Sequence, residues 1–69
     1  MNAKLDREFK KIRNTPITDI AARAGCSVAY VSRVLRGERI PRIHYFVAIA
    51  NALGVSLDSL WEFLKPHYE

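Results

Sequence analysis

The chain has 69 residues, of which 49% are hydrophobic and 26% charged, with a net charge of +4 and one cysteine. This is one domain, large enough for an ordinary packed core and too apolar to be a disordered segment; residues 1–69 are read as a single unit. Cys26 has no partner for a disulfide or a zinc site, the first fourteen residues are too charged for a signal peptide, and no apolar run approaches the ~18 residues of a membrane span, so a cytoplasmic protein without a structural metal is expected.

The charge is unevenly placed. From Met1 to Arg42 there are ten Lys or Arg against four acids, net +6, whereas Ile43 to Glu69 carries net −2. Arg33, Arg36, Arg39 and Arg42 recur every three residues, with Glu38 the one acid among them. Such a concentration suits a polyanion, either nucleic acid or an acidic membrane surface, although charge alone fits a solvated face equally well.

In chain order the pattern predicts five helices and no strand. Leu5, Phe9 and Ile12 at i, i+4, i+7 make Lys4 to Arg13 an amphipathic first helix, ended by Asn14. Thr15 followed by Pro16 reads as an N-cap with proline in the first helical position, opening a second helix that runs to about Ala24. Gly25 is placed to end that helix in a left-handed conformation. Ser27 then caps a third helix whose apolar stripe is Val31, Val34 and Leu35, closed by Gly37. "ERIPR" reads as a loop, because Pro41 disfavours helical angles at Ile40. A fourth stripe of Ile43, Phe46, Val47, Ala50 and Leu53 ends at Gly54. Ser56 caps the last helix, Val55 and Leu60 form a hydrophobic staple, and Lys65 and Pro66 end it. The expected fold class is a compact all-α domain.

The stretch "DIAARAGCSVAYVSRVLRG", Asp19 to Gly37, is the informative one. Two helices joined by a short turn containing glycine form the helix-turn-helix unit, here about residues 16–36, whose second helix enters the DNA major groove. Ala21 is small where the helices must approach, Cys26 is a compact wedge, and Ile20, Ala24, Val31 and Val34 fill the inner face. Ser27, Val28, Ala29, Ser32, Arg33 and Arg36 remain outward. Arginine reads guanine O6 and N7, serine bonds bases or phosphates, and Val or Ala packs on a thymine methyl. Arg36, Arg39 and Arg42, with the backbone N–H groups around Arg42 and Ile43, are expected to hold phosphates. Arg23 and the lysines of the first helix lie away from that edge and are expected to be ordinary surface residues.

Locally, this stretch resembles the helix-turn-helix of the lac repressor family, close to D-V-A-x-x-A-G-V-S-x-x-T-V-S-R-V-L-N-G. The continuation "IPRIHYFVAIANALGVSLDSLW" departs from that family and resembles the lambdoid phage repressor and Cro family, with its frequent close P-x-x-x-x-L-x-x-I-A-x-A-L-G-V-S-x-D-x-L. The second resemblance covers nearly the whole chain and implies a lambda-repressor-like five-helix fold. By resemblance, Arg33 matches the lac-family arginine that reads a guanine. Val28 and Ala29 occupy the positions of the main base readers, where apolar side chains imply thymine methyls in place of hydrogen-bonded readout. Phage repressors usually begin the second helix with a phosphate-holding glutamine; Ile17 stands there, so Thr15 or Thr18 is expected to supply that contact.

Leu57, Leu60, Trp61, Phe63 and Leu64 surround more of the last helix than one core-facing stripe needs. The phage family forms its two-fold contact in this region, which implies a dimer interface through Leu57, Trp61 and Leu64, formed on DNA if not before. His44 and His67 lack a second ligand at i+4, and Asp58 with Glu62 reads as a solvated pair, so neither a metal site nor an enzyme is expected. The expected function is a homodimeric regulator, most simply a Cro-like repressor on a palindromic double-stranded DNA operator, with no cofactor, membrane or small-molecule effector. A restriction-system controller, an antitoxin, a nonspecific DNA binder and a protein-interaction module remain open.

Overall fold

The computed structural model describes residues 3–68, with the side chain of Tyr68 left aside. Five helices follow in order: α1 Ala3–Asn14, α2 Ile17–Ala24, α3 Val28–Leu35, α4 Ile43–Leu53 and α5 Leu57–Tyr68; no strand occurs among the described residues. α2 packs against both α3 and α4, while α5 packs against α1 and α4. The radius of gyration is 11.0 Å, matching the ~11 Å expected of a folded chain of this length.

Every helix contributes apolar residues to one core, four of them along the expected stripe and α4 along a different one. Ile12 enters from α1, Ile20 and Ala21 from α2, Val31 and Val34 from α3, Ile49, Ala50 and Leu53 from α4, and Leu60 and Leu64 from α5. The rings of Phe9 and Phe63 meet edge to face, centroids 5.3 Å apart, and join α1 to α5. Two cations hold carbonyls near the end of α4: Lys11 Nζ donates to Gly54 O at 3.3 Å and Arg23 Nη1 to Ala52 O at 3.4 Å. These contacts give Arg23 and Lys11 structural work at the C-terminal end of α4.

The start of α5 is capped from two places. Ser56 Oγ accepts from Ser59 N at 3.1 Å and donates to Ser59 Oγ at 2.9 Å, as its sequence position predicts. The Ser56 N–H donates to Glu8 Oε2 of α1 at 3.1 Å. A capping box ordinarily takes that acceptor from the third residue of the same helix. Here Ser59 occupies that position, and a carboxylate 48 residues away completes the box. Glu8 is 9% exposed, and the Ser59 hydroxyl followed by the Ser56 N–H holds its carboxyl below its usual range, with Lys4 and Lys11 adding to the effect against the opposing influence of burial.

Four expectations need correction. Thr15 does not cap α2: its hydroxyl donates backward to Lys11 O at 2.6 Å, and Pro16 occupies the cap position with φ −58° and ψ 138°. The Pro16 carbonyl accepts from Asp19 and Ile20, so α2 begins without a side-chain cap. α5 does not stop at Pro66 but continues to Tyr68; in the last turn the missing proline N–H removes a single bond, and His67 packs against Gly37. Ile43 is outside the core, 74% exposed, because α4 is apolar on nearly all sides and its buried face is set by Ile49, Ala50, Ala52 and Leu53. Leu64 is fully buried and presents no surface to a partner.

Candidate nucleic-acid interface

The break between α2 and α3 is built from three residues. Gly25 adopts φ 71° and ψ 31°, and its N–H donates to Ala21 O. A residue with a Cβ is strained in that left-handed conformation, although the space beside Gly25 is open. Cys26 N also donates to Ala21 O, at 3.0 Å, and its half-buried thiol lies 3.7 Å from Ala24 O; burial pushes the thiol pKa up. Ser27 then turns the chain into α3, its hydroxyl accepting from Tyr30 N at 3.0 Å. With Val31 and Val34 fully buried against Ile20 and Ala21, the remaining face of α3 is determined.

That face carries the residues expected to read bases. Ser27, Val28, Ala29 and Arg33 are exposed and Ser32 is half-buried; Val28, at 47%, is an unusually open aliphatic residue at the start of the helix. The Ser27 hydroxyl is already engaged as a cap, which leaves its proton available for a further acceptor. Thr18 is exposed in the first turn of α2, whereas Thr15 is half-buried with its proton committed to Lys11 O.

The arginines expected at phosphates lie along the segment after α3 in three different settings. Arg36 Nε donates to Glu38 Oε2 at 2.9 Å, both side chains more than half exposed, so its charge is partly neutralised in the free protein. Arg39 stands over the Tyr30 ring, 5.5 Å from the centroid. Arg42 is the N-cap residue of α4, with φ −69° and ψ 157°, and makes no side-chain capping bond.

A second surface lies on α5. Trp61 is 46% exposed and Leu57 is similarly open. With Ile40, Pro41, Ile43 and Phe46 they line an apolar groove of about 350 Å³, at whose floor Leu64 is buried. The sequence pattern does not assign Ile40 and Ile43 to this surface; their signal is an isoleucine held out of helical angles by Pro41 and another at the first position of α4.

The comparisons with known proteins agree with this geometry. A helix-turn-helix family profile matches residues 7–60, from α1 into α5 and across the whole α2–turn–α3 unit. The chain belongs to the helix-turn-helix family. It is therefore a DNA-binding regulator of that type, and double-stranded DNA is its ligand. No curated protein and no solved structure matches it significantly. Among the described residues of this helix-turn-helix chain, no single helix is long and apolar enough to cross a membrane, and no group of three His, Cys, Asp or Glu is arranged to hold a metal.

Proposed function

We propose that this regulator is a Cro-like repressor that binds a palindromic operator as a homodimer in the cytoplasm and acts by occupying a promoter, without a small-molecule effector. The reading is carried by the open face of α3, with Ser27, Val28, Ala29, Ser32 and Arg33, and by the exposed arginines that follow it in the chain, Arg36, Arg39 and Arg42. Arg33 reads a guanine, Val28 and Ala29 pack on thymine methyls, and the serines bond a base or a phosphate. The three later arginines, Thr18 and the N–H groups at the start of α4, Ile43 among them, fix register on the backbone. Thr15 plays no part in this reading, because its hydroxyl proton is committed within α1.

The two-fold contact uses the apolar groove, with Leu57 and Trp61 of α5 joined by Ile40 and Ile43. Leu64 supports them from the core. An apolar surface of this kind marks an interface, and a two-fold dimer presents two α3 helices to half-sites about 34 Å apart.

Selection of sites from a randomised duplex library tests the reading. A palindromic motif is expected. Arg33→Ala should lose about 1–3 kcal/mol and its guanine preference at one base pair per half-site, whereas Arg42→Ala should weaken all duplexes alike. Failure to enrich any motif, or equal losses by both variants on selected and random DNA, would overturn this assignment of roles.

A further inference from the structure

The base-reading face and the groove on α5 leave one cluster unexplained. A polar pocket of about 530 Å³ opens between the turn before α3 and the start of α4, walled by Ser27, Tyr30, Arg39, Arg42, His44 and Tyr45, and no acid among the described residues lines it. Its aromatic side chains form a continuous run of tilted ring contacts. The His44 and Tyr45 centroids are 4.2 Å apart, Tyr45 and Tyr30 are 5.2 Å apart with planes tilted by 54°, and Arg39 stands over Tyr30 at 5.5 Å. A cation within about 6 Å of a tyrosine centroid is attracted to the face of the ring.

The arrangement is specific in what it restrains. Arg39 lies in an irregular segment, on a side chain with several rotatable bonds and a large entropy to lose on binding. Tyr30 comes from α3, where Val31 beside it is fully buried, and Tyr45 comes from the first turn of α4. Two helices thus support the ring on which the loop arginine rests, and they hold its guanidinium at the wall of a pocket that Arg42 borders from another side.

We propose that Tyr30, backed by Tyr45, is a positioning residue for Arg39, and that the pocket they wall takes a backbone phosphate of the DNA strand passing the N-terminal end of α3. The inference rests on the DNA-binding reading and deepens it. Planar guanidinium suits both functions at once, because it stacks through its face while its edge donates hydrogen bonds to phosphate oxygens.

The test is a double-mutant cycle on a random-sequence 20-bp duplex, measured by fluorescence anisotropy across a salt series with wild type, Arg39→Ala, Tyr30→Leu, Tyr30→Phe and Arg39→Ala/Tyr30→Leu. Arg39→Ala should flatten the log–log salt slope by about 0.9 per protomer, the loss of one phosphate contact. Tyr30→Leu should lower affinity about two- to fivefold, Tyr30→Phe should stay near wild type because it keeps the ring, and Tyr30→Leu should cost nothing more once Arg39 is gone. Additive losses, a Phe variant as weak as the Leu variant, or an unchanged slope in Arg39→Ala would overturn the proposal. Tyr45→Leu repeats the cycle from α4 if Tyr30→Leu unfolds. Wild-type protein that ignores duplex at low salt would instead defeat the DNA-binding reading itself. Inorganic phosphate sets the remaining comparison: tyrosine ring resonances should shift with duplex and not with millimolar phosphate. Equal shifts would make this a free-anion pocket and overturn the DNA assignment.

Discussion

At the scale of single residues, the charge pattern and the charge that DNA meets are different quantities. Arg36 belongs to the every-third-residue arginine series, yet its guanidinium is paired with Glu38 at 2.9 Å before any ligand arrives. An exposed pair of this kind contributes little to stability, about 0–1 kcal/mol, but it opposes a phosphate contact twice, by occupying the arginine and by adding a negative charge. Glu38→Gln should therefore tighten binding to random duplex by roughly two- to fivefold at low salt, with the gain fading as salt rises. Titration of both proteins at two ionic strengths checks it, and a weaker or salt-independent effect would show that Glu38 does not oppose DNA. Glu8 makes the opposite kind of contribution. Its carboxyl is held below the ordinary value of 4.5, chiefly by the Ser59 hydroxyl and the Ser56 N–H, so its stabilising effect is fully present above about pH 4.5 and is lost as the pH falls through the lowered folded-state value. Glu8→Gln should lower Tm at pH 7, and the gap to wild type should narrow in acid; a gap independent of pH would remove the charge from the explanation.

At the scale of elements, the helix ends were easier to read than the helix faces. Gly25, Gly37 and Gly54 all close helices with φ between 71° and 77°, where their positions predicted it. Ser27 and Ser56 cap α3 and α5, again as predicted. These are local effects, set within three or four residues of chain. The failures at Thr15 and Pro66 are also instructive: Thr15 has an equally local alternative in the Lys11 carbonyl, and Pro66 sits where α5 has nearly ended and distant packing can carry it. Gly25 and Gly37 share a backbone conformation but differ in surroundings, which separates their expected costs. A Cβ at Gly25 meets nothing, so Gly25→Ala should cost about 1 kcal/mol of conformational strain. A Cβ at Gly37 would overlap the Cβ of His67, so Gly37→Ala should destabilise by clearly more. Chemical denaturation of the two variants compares them directly; equal losses would mean that the last turn of α5 moves aside without cost.

At the scale of the whole molecule, two surfaces divide the function. In the proposed reading the basic face of α3 and the following segment meets DNA, and the apolar groove between Ile40–Ile43 and α5 takes a second copy. Wild-type protein should sediment as a dimer at high concentration, or bind its selected operator cooperatively, and Trp61→Ala should abolish the dimer or the cooperativity while leaving single half-site affinity near wild type. A wild-type monomer whose operator binding is unchanged by Trp61→Ala would eliminate the dimer reading. The mutation leaves Leu64 and Leu60 in the core, so its effect on folding should be small.

What the amino-acid sequence determined by itself was the number and order of the helices, the turn between α2 and α3, and the outward residues of α3. Helix starts, helix stops and a clear amphipathic period are local, and in α3 the three-residue spacing of Val31 and Val34, with Ser32 and Arg33 between them, is enough to orient it. Tertiary structure decided three further matters. In α4 nearly every side is apolar, so only packing against α2 and α5 could choose Ile49 over Ile43 for the core. Glu8 became the cap of α5, and Tyr30, Tyr45 and Arg39 became one contact cluster, because the fold brings together residues 48 positions apart in the first case and from three successive segments in the second. Such pairings leave no periodic trace along the chain: their energy comes from contacts that exist only after the helices have packed.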